Sequence, residues 1–291
     1  MNSKKTILVA GGDLRFVYTA HALAADFEVY AAGFPQQIVP FSDVRLTGAV
    51  GDGLPVCDIL VLPMPVSDDG VLVHAPFAQQ ALSLHKLLAA VRQDGIVLGG
   101  AFGKAAAVFQ DAHIRTGDYL KEEELAVLNA VPTAEGALQI LLEELPHTIS
   151  GCRILVLGFG RIGSRLAQML HALGARVTVV SRDTAELARA EMAGCSAVSL
   201  SQLPECVAEF PVVCNTIPAR VVDEPVLQRM AADTLVLDLA SKPGGVDLEA
   251  AQEYGTRVVW ALSLPGKTAP VTAGEILART IRHMLKERGI C

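Results

Sequence analysis

GCRILVLGFGRIGSRLAQMLHALGARVTVVSRD, residues 151–183, decides the fold. A short apolar run at 153–157 leads into GFGRIG, an alanine- and leucine-rich stretch follows at helical spacing, and a second apolar run at 176–180 closes the unit. Strand, glycine turn, helix and strand together give the glycines a meaning that the bare spacing lacks. Gly158 permits the tight turn, Gly160 lets a pyrophosphate approach the backbone, and Gly163 allows close packing of the helix. Free amides at the start of that helix favour an anion, so Gly158, Gly160, Arg161, Ile162 and Gly163 are the expected phosphate cradle of a dinucleotide.

The second strand of such a unit ordinarily ends in an acid, about 20 residues on, that takes the ribose 2′-hydroxyl of NAD. Here Ser181 and Arg182 stand there, 23 and 24 residues after Gly158. A hydroxyl beside a planar cation suits a 2′-phosphate, which predicts NADP. Asp183 next door keeps NAD open, and Ser181 as a helix cap with Arg182 as a solvated charge is the plain alternative.

Outward from this stretch the pattern repeats. Apolar runs at 211–216, 234–238 and 257–261 continue the second half, and runs at 6–10, 28–32, 58–63, 95–99 and 113–116 build the first. Near-continuous apolar strands alternating with helices predict an α/β protein of two Rossmann-like, doubly wound parallel-sheet domains. Residues 133–145 read as a connecting helix with Thr133 as N-cap after Pro132, and residues 272–288 as a last helix that returns to the first domain. The expected division is 1–131, joined by 272–291, and 132–271.

Composition narrows the function. Of 291 residues, 51% are hydrophobic and 19% charged, and mean hydropathy is +0.40, which excludes a disordered interaction protein. With 24 Lys and Arg against 31 Asp and Glu, net −7 and no basic stripe, neither nucleic acid nor an anionic membrane is an expected partner. No uninterrupted apolar run approaches the roughly 18 residues of a membrane span, and the first residues are no signal peptide, so a cytoplasmic protein is expected. Six cysteines at 57, 152, 195, 206, 214 and 291 contain no CxxC and read as buried apolar residues. The seven histidines form no metal pattern, and no metal is expected.

Ligands of open parallel sheets lie beyond the carboxyl ends of the strands, so the loops there carry the remaining candidates. CNTIPA at 214–219 offers Asn215, Thr216, Ile217 and Pro218 to a ribose or nicotinamide amide. DLASKPGG at 238–245 offers Asp238, Ala240 and Ser241. Turn chemistry alone is the competing account of both. LPGKTAPVTAGE at 264–275 carries Lys267, a partner for a substrate carboxylate or a surface cation, and Thr272, read as the cap of the last helix. AGGDLR at 10–15 lacks a third glycine, so no second dinucleotide site is expected; Asp13 and Arg15 follow the turn, as an N-cap and an exposed cation in the plain reading. Ser67 and Lys104 lie on neighbouring loops, and Asn129, Thr133 and Glu135 near the hinge.

GGDLR, NAVPTAEGA, LGFGRIG, CNTIPA, DLASKPGG and LPGKTAPVTAG occur in an order and spacing that resembles the dipicolinate synthase A subunit along essentially the whole chain. The resemblance implies two Rossmann-like domains with an interdomain cleft, similar in arrangement to alanine and D-2-hydroxyacid dehydrogenases. It implies an NADP-binding subunit that, with a flavoprotein B subunit, converts dihydrodipicolinate, from a branch of lysine biosynthesis, to dipicolinate in the mother cell of a sporulating bacterium; it also leaves room for a homodimer. Under that reading Arg15, Lys104 and Lys267 hold the substrate carboxylates, with Ser67, Asn129, Thr133 and Ser241 around them, and Asp13 or Glu135 takes the released proton. The alternatives are an NADP-dependent hydroxy or keto acid dehydrogenase and a noncatalytic NADP-binding subunit.

Overall fold

A computed structural model describes residues 4–47 and 53–290, and Cys291 lies outside the described residues. The chain divides into two compact units, Met1–Asn129 with Pro265–Cys291, and Ala130–Leu264.

The first unit contains β1 (Thr6–Ala10), β2 (Glu28–Ala32), β3 (Val44–Leu46), β4 (Cys57–Val61), β5 (Val91–Gly99) and β6 (Arg115–Asp118), parallel throughout in the order β3-β2-β1-β4-β5-β6. Its helices are α1 (Leu14–Ala24), α2 (Leu84–Ala89), α3 (Ala106–Asp111) and the first turns of α4 (Glu123–Glu144). The second unit contains β7 (Arg153–Leu157), β8 (Arg176–Ser181), β9 (Ser196–Ser199), β10 (Val212–Asn215), β11 (Leu235–Asp238) and β12 (Arg257–Trp260), in the order β12-β11-β10-β7-β8-β9. Around it run α5 (Arg161–Ala172), α6 (Thr184–Met192), α7 (Leu203–Cys206), α8 (Glu224–Leu227) and α9 (Leu248–Glu253), followed by α10 (Leu264–Thr268) and α11 (Pro270–Glu287).

Each sheet is apolar on both faces because successive strand residues point to opposite sides. In β1, Ile7 and Val9 enter one core cluster and Leu8 and Ala10 another; in β7, Ile154 and Val156 enter one and Leu155 and Leu157 the other. Both sheets reverse strand order at their first strand, between β1 and β4 and between β7 and β10, which is where such sheets open a crevice for ligands. In the first unit α11 lies against α1, and a methyl group on Gly274 would stand 2.6 Å from the Arg15 carbonyl oxygen and 2.9 Å from the Thr19 nitrogen. Only a residue without a side chain permits that approach, and the Thr19 hydroxyl fills the contact by donating to the carbonyls of Arg15 and Gly274.

Several expectations need correction. Each sheet has a sixth strand that the apolar runs do not show: β3 and β9 are three and four residues long, lie at sheet edges, and carry the polar residues that edges tolerate. His113 takes φ 50° and stands before β6 rather than in it. The connecting helix begins ten residues earlier than Thr133, at Glu123, so Pro132 and Thr133 both lie inside it and Thr133 is not its N-cap. Glu123 and Glu124 open it, as the helix dipole favours. By length and composition α4 could cross a membrane, with mean hydropathy 1.4, yet Ala134, Ala137 and Leu141 belong to the core of the second unit. The last helix starts at Pro270, a residue suited to a first helical turn, and Thr272 lies inside it.

Candidate active site

In the second unit Gly158 has φ +89°, and its amide donates to the Val180 carbonyl, which ties the glycine turn to the end of β8. Two of the glycines are fixed by space. A Cβ on Gly158 would meet Thr216 Oγ1 at 2.7 Å, and one on Gly163 would meet the Gly158 carbonyl oxygen at 2.1 Å. Gly160 is different: a Cβ there would have no atom within 4 Å. Gly160 is also the N-cap of α5 and supplies no side chain to its amides. An open approach above a helix end without a side-chain cap fits the diphosphate of a dinucleotide. Arg161 and Ile162 form the first turn there.

The loops after β10 and β11 are organised inward. Asn215 is fully buried; its amide nitrogen donates to the Ile217 carbonyl and to Asp238 Oδ1, and its Oδ1 accepts from the Ile217 amide. Asp238, 1% exposed, also accepts from the amides of Ala240 and Gly245. The Thr216 hydroxyl donates to the Leu157 carbonyl. Buried polar groups must find partners, and these find them in the protein. In these bonds Asn215, Thr216 and Asp238 support the glycine turn and the 238–245 loop. Ile217 is half-buried, Ala240 is buried, and Pro218 and Ser241 are exposed on the rim.

The end of β8 is also tied to the glycine turn. Ser181 is 3% exposed, and its hydroxyl donates to Glu186 Oε2 at 2.6 Å while accepting from the Asp183 amide. Arg182 is exposed, and Asp183 caps α6 by accepting from the Ala185 amide. Glu186, which sequence reasoning missed, accepts from Phe159 N–H in the glycine turn as well. The signal for it was present as Asp183-x-x-Glu186, the spacing of a capping box.

In the first unit Asp13 caps α1 through the Arg15 amide and receives the Arg15 guanidinium in a forked pair, Nε to Oδ1 at 2.8 Å and Nη2 to Oδ2 at 2.7 Å. Arg15 is buried rather than exposed, and its Nη1 points at Met64 Sδ, 3.3 Å away. Gly266 presses on this pair: a Cβ there would lie 2.4 Å from Asp13 Oδ2. Lys267, in α10 rather than in a loop, is thus next in sequence to a residue that touches the Asp13–Arg15 pair, and is exposed. Ser67 is buried and bonds Asp69 and the Gly70 amide, and Gly70 lies against Lys104, with 3.1 Å from its Cβ position to that of the lysine. Asp13 and Arg15 thus form one pair with Gly266 against it, and Ser67 and Lys104 meet at Gly70 on the loops after β4 and β5. Asn129, Thr133 and the exposed Glu135 lie along α4. Tyr119, 0% exposed, donates its hydroxyl to the Leu62 carbonyl and anchors the end of the loop that carries Met64 and Ser67; burial holds its phenol well above the ordinary tyrosine range. Among the described residues no three His, Cys, Asp or Glu side chains are grouped to hold a metal.

Residues 6–120 match the N-terminal domain of the dipicolinate synthase A subunit, and residues 134–241 match the NAD binding domain of D-isomer specific 2-hydroxyacid dehydrogenases. The dipicolinate synthase A subunit of Bacillus subtilis (strain 168) is 32% identical over 97% of this chain and 96% of its own length. The chain belongs to the family of dipicolinate synthase A subunits. The crystal structure of the Bacillus halodurans member superposes with a TM-score of 0.89 at 30% identity, covering 98% of this chain and 99% of the other. A transhydrogenase from Sinorhizobium meliloti, at 16% identity and TM-score 0.73 over 98% of this chain and 95% of its own, shares the fold. The family and the dehydrogenase domain make the chain an oxidoreductase with a nicotinamide-dinucleotide domain.

Proposed function

We propose that this chain is the dinucleotide-binding subunit of an enzyme that oxidises dihydrodipicolinate to dipicolinate, working with a flavoprotein partner in the cytoplasm of a sporulating mother cell. The observation that carries the reading is the match to the Bacillus subtilis protein over 97% of the chain, with the glycine turn intact and open above Gly160.

A bound nicotinamide supplies a two-electron acceptor. Gly158, Gly160 and Gly163 hold its diphosphate, and the Asn215–Asp238 network stiffens the loops around it. Of the two dinucleotides, Arg182 speaks for NADP and the Ser181–Glu186 pair for NAD. The substrate carries two carboxylates on a ring that becomes aromatic, so positioning is the larger task and a strong base is not required. Arg15, preorganised by its fork on Asp13, and the exposed Lys104 and Lys267 supply the cations. Asp13 is already engaged by Arg15 on both oxygens, which leaves Glu135 or water as the simpler route for the proton.

The test mixes the purified chain with dihydrodipicolinate and either NAD or NADP, with and without the flavoprotein, and follows reduced nicotinamide absorbance and dipicolinate by chromatography. Dinucleotide reduction matched by dipicolinate is the expected result. Product that appears only with the partner and without dinucleotide reduction would reduce this chain to a binding role, and oxidation of a simple hydroxy acid instead would assign it to another substrate class.

A further inference from the structure

We propose that Lys242 is a substrate-binding residue, an ammonium set at the nicotinamide end of the dinucleotide site to receive a ring carboxylate. This rests on the reading above that the second unit binds a nicotinamide dinucleotide and that the substrate is a dicarboxylate.

In a sheet ordered β12-β11-β10-β7-β8-β9, a dinucleotide lies across the carboxyl ends of two halves, each of which takes one mononucleotide. The glycine turn assigns the diphosphate and the adenosine to β7, β8 and β9, so the nicotinamide falls to β10, β11 and β12. The loop that follows β11 stands at the carboxyl end of that second half.

One carboxylate holds this loop where it leaves the strand and where it returns. Asp238 Oδ1 accepts from the Ala240 amide at 3.0 Å and Oδ2 from the Gly245 amide at 2.9 Å, while Trp260 Nε1 donates to the Ala240 carbonyl. Between these points Ser241, Lys242, Pro243 and Gly244 form a turn closed by the Gly244 amide on the Ser241 carbonyl at 2.9 Å. Two glycines seat the turn on the buried pair beneath it: a Cβ on Gly244 would lie 3.0 Å from Asp238 Oδ2, and one on Gly245 would lie 2.1 Å from Asn215 Nδ2. The buried Asn215 and Asp238 thereby fix the backbone from which Lys242 projects.

Lys242 itself is exposed and, among the described residues, has no hydrogen-bond or ion-pair partner. The other cation on the loops after β10 and β11 is Arg220, and its Nη1 is already paired with Asp247 at 3.0 Å. A backbone fixed in advance lowers the ordering cost of binding, and an unpaired ammonium offers its three donors to a carboxylate. Arg15, Lys104 and Lys267 belong to the first unit, whereas Lys242 is carried by the unit with the glycine turn.

Calorimetry on the full chain, loaded with NAD or NADP and then titrated with dipicolinate, tests this without turnover. K242M keeps the apolar stem and removes the charge, and dipicolinate affinity is expected to fall about tenfold or more, the size of one lost hydrogen bond to a charged group. K242R is expected to keep most of that affinity, and both variants to bind the dinucleotide as the unmodified chain does. R220M, which removes the neighbouring paired cation, is expected to change dipicolinate affinity by no more than about twofold. Unaltered dipicolinate affinity in K242M, an equal loss in R220M, or a loss confined to the dinucleotide overturns the inference and leaves the reading of the site in place. An unmodified chain that binds dinucleotide but not dipicolinate overturns the substrate class, one that binds no dinucleotide overturns the site, and either result takes the inference with it. K242Q gives the same decision should K242M fold poorly, with a thermal melt as the check.

Discussion

The turns after β1 and after β7 stand at the same point of the same strand order, and they are built alike at the first glycine and diverge from the next residue on. Gly11 and Gly158 both take positive φ, and both amides donate to a carbonyl at the end of the neighbouring strand, Ala32 in β2 and Val180 in β8. The next amide differs: Gly12 donates to the backbone carbonyl of His74, Phe159 to the Glu186 carboxylate. Then Asp13 caps α1 with its own carboxylate, whereas Gly160 leaves α5 without a side-chain cap. Where the third glycine would fall, α1 carries Phe16, whose ring lies 2.3 Å from a Cβ position on Gly12. One topology thus yields two sites. In the first the anion at the helix end is part of the protein, held by Arg15; in the second the place is left for a ligand's phosphate.

The largest expected effect comes from making the second turn like the first. Gly160→Asp sets a self-capping carboxylate where the diphosphate belongs. Gly160 has φ −73° and ψ −158°, a conformation any residue adopts, and open space above it, so the substitution adds a cap without strain. Dinucleotide affinity should fall at least 100-fold, about 2.7 kcal/mol, with an unchanged or slightly raised Tm. Calorimetry and a thermal melt measure the two halves of that statement, and a variant that still binds normally would place the nucleotide elsewhere.

The converse change strikes stability instead. At Gly11 a Cβ would stand 2.8 Å from Val73 Cγ1 and 2.9 Å from the His74 carbonyl, and φ +72° disfavours any side chain. Gly11→Ala should cost about 2 to 3 kcal/mol, the sum of a left-handed residue and an overpacked contact, and leave dinucleotide affinity as it was. Urea unfolding of the intact chain reads it, with separate probes for the two units because a chain of two compact bodies need not unfold in one step.

How far the sequence reached can be judged on these same turns. Gly158, Gly160 and Gly163 were legible because spacing and context constrain backbone, and backbone requirements are written directly in glycines. The buried strands were legible as apolar runs, but β3 and β9 were not, since a short edge strand is held by its neighbour's hydrogen bonds rather than by its own hydrophobicity. Pro132 misled because a start signal was read into a residue that α4 accommodates internally. Side-chain direction was the least legible. Ser181, Asn215 and Asp238 stand where ligand contacts were expected, yet turn inward because a buried hydroxyl, amide or carboxylate is drawn to the nearest donor or acceptor in the fold. Arg15 was read as a site cation; that it is buried with Asp13 depends on Met64 and Gly266, distant in sequence.

Arg15 supplies a prediction of intermediate size. Its fork on Asp13 uses Nε and Nη2 together, a geometry that an ammonium cannot copy. Arg15→Lys keeps the charge but frees the α1 cap, and turnover of dihydrodipicolinate should fall about tenfold, near 1.4 kcal/mol. Affinity for the dinucleotide should not change, since its cradle is built from Gly158, Gly160 and Gly163. Unaltered kinetics would remove Arg15 from the substrate site and leave it as the counter-ion of a helix cap.

The smallest effect concerns a feature the two sheets share. The fourth strand of each unit buries a thiol, Cys57 at the start of β4 and Cys214 within β10, both free. Burial pushes each up to about 12, and at Cys57 the Asp58 carboxylate adds to it. A thiol attacks as thiolate, so near pH 8 both should be inert toward a disulfide reagent in the folded protein. Cys152 and Cys206, only half-buried and less strongly shifted, should label first, with no loss of dinucleotide binding because neither side chain belongs to the glycine turn. Peptide mapping after timed labelling ranks them. Adding urea should bring Cys57 and Cys214 into reach only as their sheets open, which makes each a reporter for its own unit; in Gly11→Ala, Cys57 should label at lower urea while Cys214 keeps its original threshold. Early labelling of both cysteines together in that variant would show that the two units unfold as one.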